Sequence, residues 1–234
     1  MRVALADDEQ DLLDQIAGIV MSAGHEVETF RNGTDLQRAL QRETYDVVML
    51  DWNMPGQTGL EILHWARDNL PSAPPFIMIT SRGENEDVVR GLEAGAVDYI
   101  TKPESDEIIR ARLEAAGRRI GADRPETEVR YGKYTLNRKS KEIDFSGAAV
   151  AVTAKEFDLV DLLFQNLDRP LSRGYLFSRI WGGNIELETR TIDVHVSRLR
   201  SKLELKPENG YVIRTVFGFG YRMDAYIDEE AANG

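Results

Sequence analysis

Five short, mostly apolar runs, at residues 3–6, 27–30, 47–50, 76–79 and 97–100, set the tightest limit on what this chain can fold into. Each is strand-sized, and the segments between them carry apolar residues every three to four positions. Leu12, Leu13, Ile16, Ile19 and Val20 form one such stripe, Leu36, Ala39 and Leu40 a second, and Leu60, Leu63 and Ala66 a third. Further helices are predicted near 87–94 and 106–120. Strands without polar alternation are buried on both faces, and the helices between them provide the cover. The first 120 residues are therefore expected to form a doubly wound α/β domain around a five-stranded parallel sheet.

That pattern stops at Gly121-Ala122-Asp123-Arg124-Pro125-Glu126-Thr127, a polar, aperiodic stretch that reads as a linker over 121–128. Beyond it, strands are expected at 130–136, 142–145 and 148–152, with Gly147 at a turn. Thr153-Ala154-Lys155-Glu156 has the capping-box pattern that opens a helix. Two more helices are expected near 172–181 and 189–203, and a hairpin over 211–223 around Gly218-Phe219-Gly220. The charge changes with the pattern. Residues 1–121 hold 22 acids and 12 bases, whereas residues 122–223 hold 14 acids and 17 bases. An acidic half beside a mildly basic one suggests two domains with different partners.

Several classes drop out. Cys is absent, which excludes disulfides, zinc-thiolate sites and thiol nucleophiles, and His25, His64 and His195 lack metal-ligand spacing. The N-terminus gathers three acids by its ninth residue and is not expected to be a signal peptide. No apolar stretch approaches the ~20 residues of a membrane span. A soluble, cytoplasmic protein without membrane contact is expected.

In an open parallel sheet, ligands bind beyond the carboxyl ends of the strands. There the chain places Asp7-Asp8-Glu9, Asp51, Thr80-Ser81 and Lys102-Pro103. Converging carboxylates need a cation, and oxygen ligands without Cys or clustered His point to Mg²⁺. Lys102 can hold an anionic group as a point charge, and the Thr80 hydroxyl can donate to one of its oxygens. Such an assembly suits phosphoryl transfer onto a carboxylate. Haloacid-dehalogenase-like phosphatases also use a nucleophilic Asp, but they need a second Asp two residues on. Asn53 stands there and cannot shuttle a proton.

Asp7-Asp8, Asp51-Trp52-Asn53-Met54-Pro55-Gly56, Thr80-Ser81 and Tyr99-Ile100-Thr101-Lys102-Pro103 together resemble the receiver domain of two-component response regulators, over residues 1–120. The resemblance implies a flavodoxin-like fold and phosphoryl transfer from a sensor histidine kinase to Asp51. It implies Mg²⁺ on Asp8, Asp51 and the Asn53 carbonyl, with Asp7 acting partly through water. Thr80 and Lys102 would bind the phosphoryl group, and Tyr99 would be a rotating aromatic coupled to Thr80. Such a protein assists only its own phosphorylation and dephosphorylation and is not otherwise an enzyme.

Residues 189–203 show two stripes at helical spacing. Ile192, Val196, Leu199 and Leu203 should face a core. Thr191, His195, Arg198 and Lys202, flanked by Arg190 and Arg200, could enter a major groove. With 153–163, 170–181 and Thr215-Val216-Phe217-Gly218-Phe219-Gly220-Tyr221-Arg222, this helix resembles the OmpR/PhoB winged-helix output domain, over residues 129–223. The resemblance implies binding to double-stranded promoter DNA, with Arg198 on bases and Arg190, His195 and Arg200 mainly on phosphates. Thr191, Lys202 and Arg222 would belong to the same interface, and residues 181–188 would touch RNA polymerase. A protein-binding winged helix is the rival reading, because the fold alone does not dictate DNA binding. Phe217 stands where the family commonly has Arg, and residues 224–234 are expected to form an acidic tail.

Receivers of this family pair through the face around the fifth strand, which implies a homodimer when phosphorylated. Val88, Leu92, Asp98, Ile108, Arg112 and Arg119 would line that face here. Val88 and Ile108 stand where members usually carry opposite charges, Val97 where Asp is common, and Glu104 where Phe is usual.

Overall fold

The five runs become parallel strands, β1 (Arg2–Ala6), β2 (Glu26–Phe30), β3 (Val47–Leu50), β4 (Phe76–Thr80) and β5 (Asp98–Thr101), in the order β2-β1-β3-β4-β5. The computed structural model describes residues 1–81, 85–118, 127–182 and 189–226, which divide into two units at residue 122. In the first unit, period-two alternation sorts the strand residues into two cores. Ala4, Ala6, Val48, Leu50 and Met78 face one side, and Val3, Leu5, Val47, Met49, Ile77 and Ile79 face the other. Helices α1 (Gln10–Ser22) and α5 (Asp106–Arg118) close the second core through Leu13, Ile16, Val20, Ile109 and Leu113. Helices α2 (Gly33–Arg42) and α3 (Gly59–Asn69) close the first through Leu36, Leu40, Ile62, Leu63 and Ala66. A further helix, α4 (Asn85–Glu93), precedes β5. The central strands β1, β3 and β4 are buried throughout, whereas β2, with Glu26 and Thr29 exposed, is an edge.

Local chemistry fixes the helix starts. Asn32 accepts from the Asp35 N–H, and Thr58 and Glu61 form a reciprocal capping box. Gly59, the first residue of α3, donates to the Trp52 carbonyl, and a Cβ there would lie 2.4 Å from the Asp51 carbonyl oxygen. Only glycine lets α3 start so close to the chain leaving β3.

The second unit opens with four antiparallel strands, β6 (Glu128–Tyr131), β7 (Tyr134–Asn137), β8 (Glu142–Phe145) and β9 (Ala148–Val150). Then come α6 (Ala154–Gln165), β10 (Leu171–Ser172), α7 (Arg173–Trp181), α8 (Thr189–Lys202), β11 (Tyr211–Val216) and β12 (Gly220–Ala225). The last three strands form a sheet in the order β10-β12-β11. Ile192, Val196, Leu199 and Leu203 of the α8 stripe are fully buried, beside Phe157, Leu163, Leu176 and Ile213. Three helices with a terminal hairpin make this a winged helix-turn-helix.

Some expectations shift. The strand expected at 130–136 is two strands, because Gly132 (φ +54°) turns the chain between them. The strand expected at 148–152 stops at Val150, where the extended Thr153 caps α6. Strand β5 begins at Asp98, one residue after Val97. Strand β10 gave no sequence signal, since two residues carry no period. Strand β12 runs to Ala225, so Asp224 is a buried sheet residue that binds Arg214 and Arg222, not the start of a solvated tail. Among the described residues no helix is long and apolar enough to cross a membrane.

Candidate phosphoacceptor site and nucleic-acid interface

Asp7, Asp51, Thr80 and Lys102 all lie at the carboxyl end of the parallel sheet, because parallel strands deliver their ends to one edge. The backbone locks three of these ends together. The Asp7 N–H donates to the Phe30 carbonyl, that of Asp51 to Ala6, and that of Lys102 to Thr80. Lys102 Nζ is 2.6 Å from Asp7 Oδ2 and 3.0 Å from Asp51 Oδ1, so one ammonium bridges two buried carboxylates. Each remaining carboxylate oxygen accepts a backbone bond, Asp7 Oδ1 from Glu9 and Asp51 Oδ2 from Asn53.

Burial pushes the Asp7 carboxyl above the usual Asp range, against the pull of Lys102 and the Glu9 N–H. For Lys102, burial opposes the charge, but the bonds to Asp7 and Asp51 together outweigh it and raise its pKa. This is a stored charge imbalance: two carboxylates share one cation inside the protein. Asp8 and Asn53 are exposed at the rim. Among the described residues no three His, Asp or Glu side chains form a group that could hold a metal ion. Mg²⁺ needs only one or two carboxylates and completes its octahedron with water, so two buried carboxylates with a third at the rim fit it. Thr80 is fully buried and Tyr99 nearly so.

The expected interface around β5 is partly revised. Leu92 and Ile108 are exposed, and Asp98 binds Arg112 at 2.5 Å within the chain. Val88 is half-buried and packs inward against the core containing Trp52 and Tyr99, while its neighbour Val89 is 50% exposed. The expectation for Val88 rests on its family position, and the period of α4 alone does not say which of the two adjacent valines the sheet covers. Arg119 lies outside the described residues.

On α8 the solvent face also differs from expectation. Thr191 and His195 are half-buried. The His195 ring meets Trp181 edge-on, and its Nδ1 donates to the Thr191 carbonyl at 2.8 Å, since a carbonyl can only accept. Lys202 binds the buried Glu156 carboxylate at 2.8 Å. Arg200 donates twice to the Ile213 carbonyl and once to Thr215 Oγ1, tying the helix to the hairpin instead of pointing at phosphates. Arg222 is bound to Asp224. The Arg190 side chain lies outside the described residues. Val194, Ser197, Arg198 and Ser201 are exposed, and so are Asp193, which binds Arg173 and Tyr221, and Lys202. Of the expected groove stripe, Arg198 and Lys202 are exposed, and Arg198 is the one that forms no hydrogen bond or ion pair with a described residue.

The Lys202–Glu156 pair makes a stability prediction. Burial opposes the Glu156 charge, but Lys202 and the Thr153 N–H outweigh it and hold its pKa below the ordinary 4.5. A lowered carboxyl pKa gives stability that is fully present above the ordinary value and is lost as pH falls through the lowered one. Lys202→Ala is expected to cost about 1–2 kcal/mol near neutral pH, at the low end for a charged hydrogen bond because Lys202 is partly solvated. The gap to the unsubstituted chain should begin to narrow below pH 4.5 and close only once pH has fallen through the lowered Glu156 pKa. Thermal melts of both proteins at pH 7 and at successive steps below pH 4.5 measure it, and a gap that failed to narrow as pH fell would refute the pairing.

Residues 3–114 match the response regulator receiver domain family. Residues 147–223 match the family described as transcriptional regulatory protein, C terminal. Sensory transduction protein RegX3 of Mycobacterium tuberculosis is 36% identical over 225 residues, covering 95% of this chain and 98% of that protein. The chain belongs to the OmpR/PhoB family of response regulators. The phosphate regulon transcriptional regulatory protein PhoB of Pseudomonas aeruginosa is 35% identical over 221 residues, covering 94% of this chain and 96% of that protein. PhoB of Rhizobium meliloti is 35% identical over 227 residues, covering 96% and 99%. The chain is thus a two-component transcriptional regulator with a receiver and a DNA-binding output domain.

For this regulator the hairpin tip is unusual. Phe217 is fully exposed at 101%, beside Gly218 (φ +72°), and does not pack under the hairpin. Arg214 and Arg222, the hairpin's described cations, are both bound to Asp224. Phe217→Arg is expected to tighten binding to most duplexes and to steepen the salt slope by about one unit, with little gain in sequence preference. Titrations of two unrelated duplexes at several salt concentrations check this, and an unchanged slope would place the tip away from DNA.

Proposed function

We propose that Asp51 is the phosphoacceptor of a receiver spanning residues 1–120, joined through 121–128 to a DNA-binding domain that begins at 129 and runs to the end of β12. The observation that carries this reading is the Lys102 ammonium held between the buried carboxylates of Asp7 and Asp51. An Asp51 carboxylate oxygen attacks phosphorus, and the bond from phosphorus to the histidine of a sensor kinase breaks, its electron pair leaving with the imidazole. Lys102 then gains phosphoryl oxygens as partners in place of a bare carboxylate, and the Thr80 hydroxyl donates to another. Asp7, Asp8, Asp51 and the Asn53 carbonyl would hold Mg²⁺, whose charge offsets that of the phosphoryl oxygens. Asn53 leaves no acid–base group two residues after Asp51, so the chain acts on its own aspartyl phosphate alone.

Phosphorylation favours pairing with a second copy through Val89, Leu92 and Ile108, the exposed apolar residues of α4 and α5. Tyr99 passes the change to that face. The output domain binds promoter duplexes with α8 in the major groove, Arg198 on base edges and the Val194 methyls near thymine methyls. Residues 181–188 contact RNA polymerase, 183–188 lying outside the described residues. The regulator works in the cytoplasm, where kinase and promoter are both within reach.

The test uses the full chain with Mg²⁺ and a small acyl phosphate. Intact mass should show one added phosphate, and affinity for a duplex selected from a random pool should rise. A chain that took no phosphate, or one whose assembly and DNA affinity ignored it, would overturn the reading.

A further inference from the structure

We propose that Gly91 is the notch that seats α4 on two aromatic rings, and that it sets how closely the phosphoacceptor site is coupled to the exposed face of that helix. Glycine inside a helix weakens it relative to alanine, and α4 has only nine residues. The buried Gly91 is nonetheless placed where side chains from two site-bearing segments meet. A Cβ at this position would lie 3.3 Å from Tyr99 Cδ2, 3.4 Å from Tyr99 Cε2 and 3.6 Å from Trp52 Cζ3. The first distance is tighter than ordinary van der Waals contact and the second lies at its limit, so ring or helix would have to give by a few tenths of an ångström.

Both rings hang on the site. Trp52 directly follows Asp51, and Tyr99 stands three residues before Lys102. Trp52 and Tyr99 are both buried, and the Arg90 guanidinium lies 5.8 Å from the centroid of the Trp52 ring. The end of α4 cannot slide away from this contact. The Ala96 N–H closes onto the Gly91 carbonyl and the Gly95 N–H onto Leu92, a Schellman arrangement that fixes the helix terminus just before β5. Leu92 and Val89, on the solvent side of the same turns, are 45% and 50% exposed. Packed interiors transmit small displacements because they have no slack. A shift of either ring therefore moves α4, and with it the apolar pair facing solvent. Gly91 is a positioning residue: it touches neither phosphate nor partner.

This inference rests on the phosphoacceptor reading above, and the experiment separates the two. Full-length Gly91→Ala should take phosphate at Asp51 to the same extent as the unsubstituted chain and melt no lower. Its phosphorylation-dependent gain in dimer affinity should fall about fivefold, the lower end of typical coupling between sites. In a Tyr99→Ala background, Gly91→Ala should cause no further loss, because the added methyl then meets only Trp52 Cζ3, at an ordinary contact distance of 3.6 Å. A gain equal to that of the unsubstituted chain, or the same loss with and without the Tyr99 ring, overturns the inference. A second readout does not need dimers. With ring-labelled tyrosine, the Tyr99 signal, assigned by Tyr99→Phe, should move on phosphorylation, and Gly91→Ala should reduce that movement. If the unsubstituted chain is labelled but stays monomeric, the pairing face is wrong and the ring signal decides on Gly91: a reduced movement supports the notch and an equal one overturns it. If it takes no label, both the phosphoacceptor reading and this inference fall.

Discussion

Asp51→Asn is expected to abolish the acid-labile phosphate that the chain acquires from Mg²⁺ and a small acyl phosphate. The change is almost isosteric, but Lys102 Nζ and the Asn53 N–H bind different oxygens of Asp51, Oδ1 at 3.0 Å and Oδ2 at 2.7 Å, and the single amide oxygen can keep one of the two bonds while a buried charge is removed. The surrounding fold should still persist, and thermal melting within a few degrees of the unsubstituted chain would document it. What disappears is the nucleophile, because a neutral amide oxygen has neither the charge nor the basicity to attack phosphorus. Withholding Mg²⁺ with a chelator should remove labelling from the unsubstituted chain as well. In that case the nucleophile is intact, but the negative phosphoryl oxygens approach two buried carboxylates with only Lys102 to offset them. The two losses have different signatures, since restoring Mg²⁺ rescues only the chain that keeps Asp51. Intact-mass spectra of both proteins, with and without chelator, make the measurement. Undiminished labelling of the Asn variant would take Asp51 out of its role.

Much of this site was legible before any coordinates, for a physical reason. Parallel strands must end on a common edge, so Asp7, Asp51, Thr80 and Lys102 at the ends of four apolar runs had to converge. The core stripe of α8 was legible in the same way, because Ile192, Val196, Leu199 and Leu203 repeat at helical spacing and all are fully buried. What failed were statements that depend on where a neighbouring element lies. Helical period says that a second stripe exists on α8, but not that Trp181 and Glu156 would cover its His195 and Lys202 side. Nor does it say that the hairpin would hold Arg200. Val88 and Val89 are indistinguishable by composition, and only the packing of α4 over Trp52 and Tyr99 turns one inward. The Glu156–Lys202 pair links residues 46 positions apart and leaves no local signal beyond the capping box that Glu156 also serves. Asp224 looked like the first residue of a charged tail because its partner Arg214 lies on the other strand of the hairpin.

Arg198→Ala is expected to cost about 1–3 kcal/mol of discrimination between a selected duplex and a scrambled one, the range for a bidentate base contact. Arg200 is committed to Ile213 and Thr215, Lys202 to Glu156, Arg222 to Asp224, and His195 to Thr191. Arg198 is exposed, and its neighbours on the solvent face, Val194, Ser197 and Ser201, are short. Short neighbours let the helix axis approach the floor of the groove, so that a long guanidinium reaches past the phosphates to the base edges. A cation spent on bases leaves the phosphate count nearly unchanged, so the salt slope of the variant should stay close to that of the unsubstituted chain. The two possible roles of Arg198 therefore give opposite patterns. A base contact loses affinity mainly for the selected duplex at constant slope, whereas a phosphate contact loses it equally for both duplexes and makes the slope shallower by about one unit. Titrating both duplexes with both proteins across a range of salt concentrations distinguishes them. Equal losses with a shallower slope would move Arg198 to the phosphates.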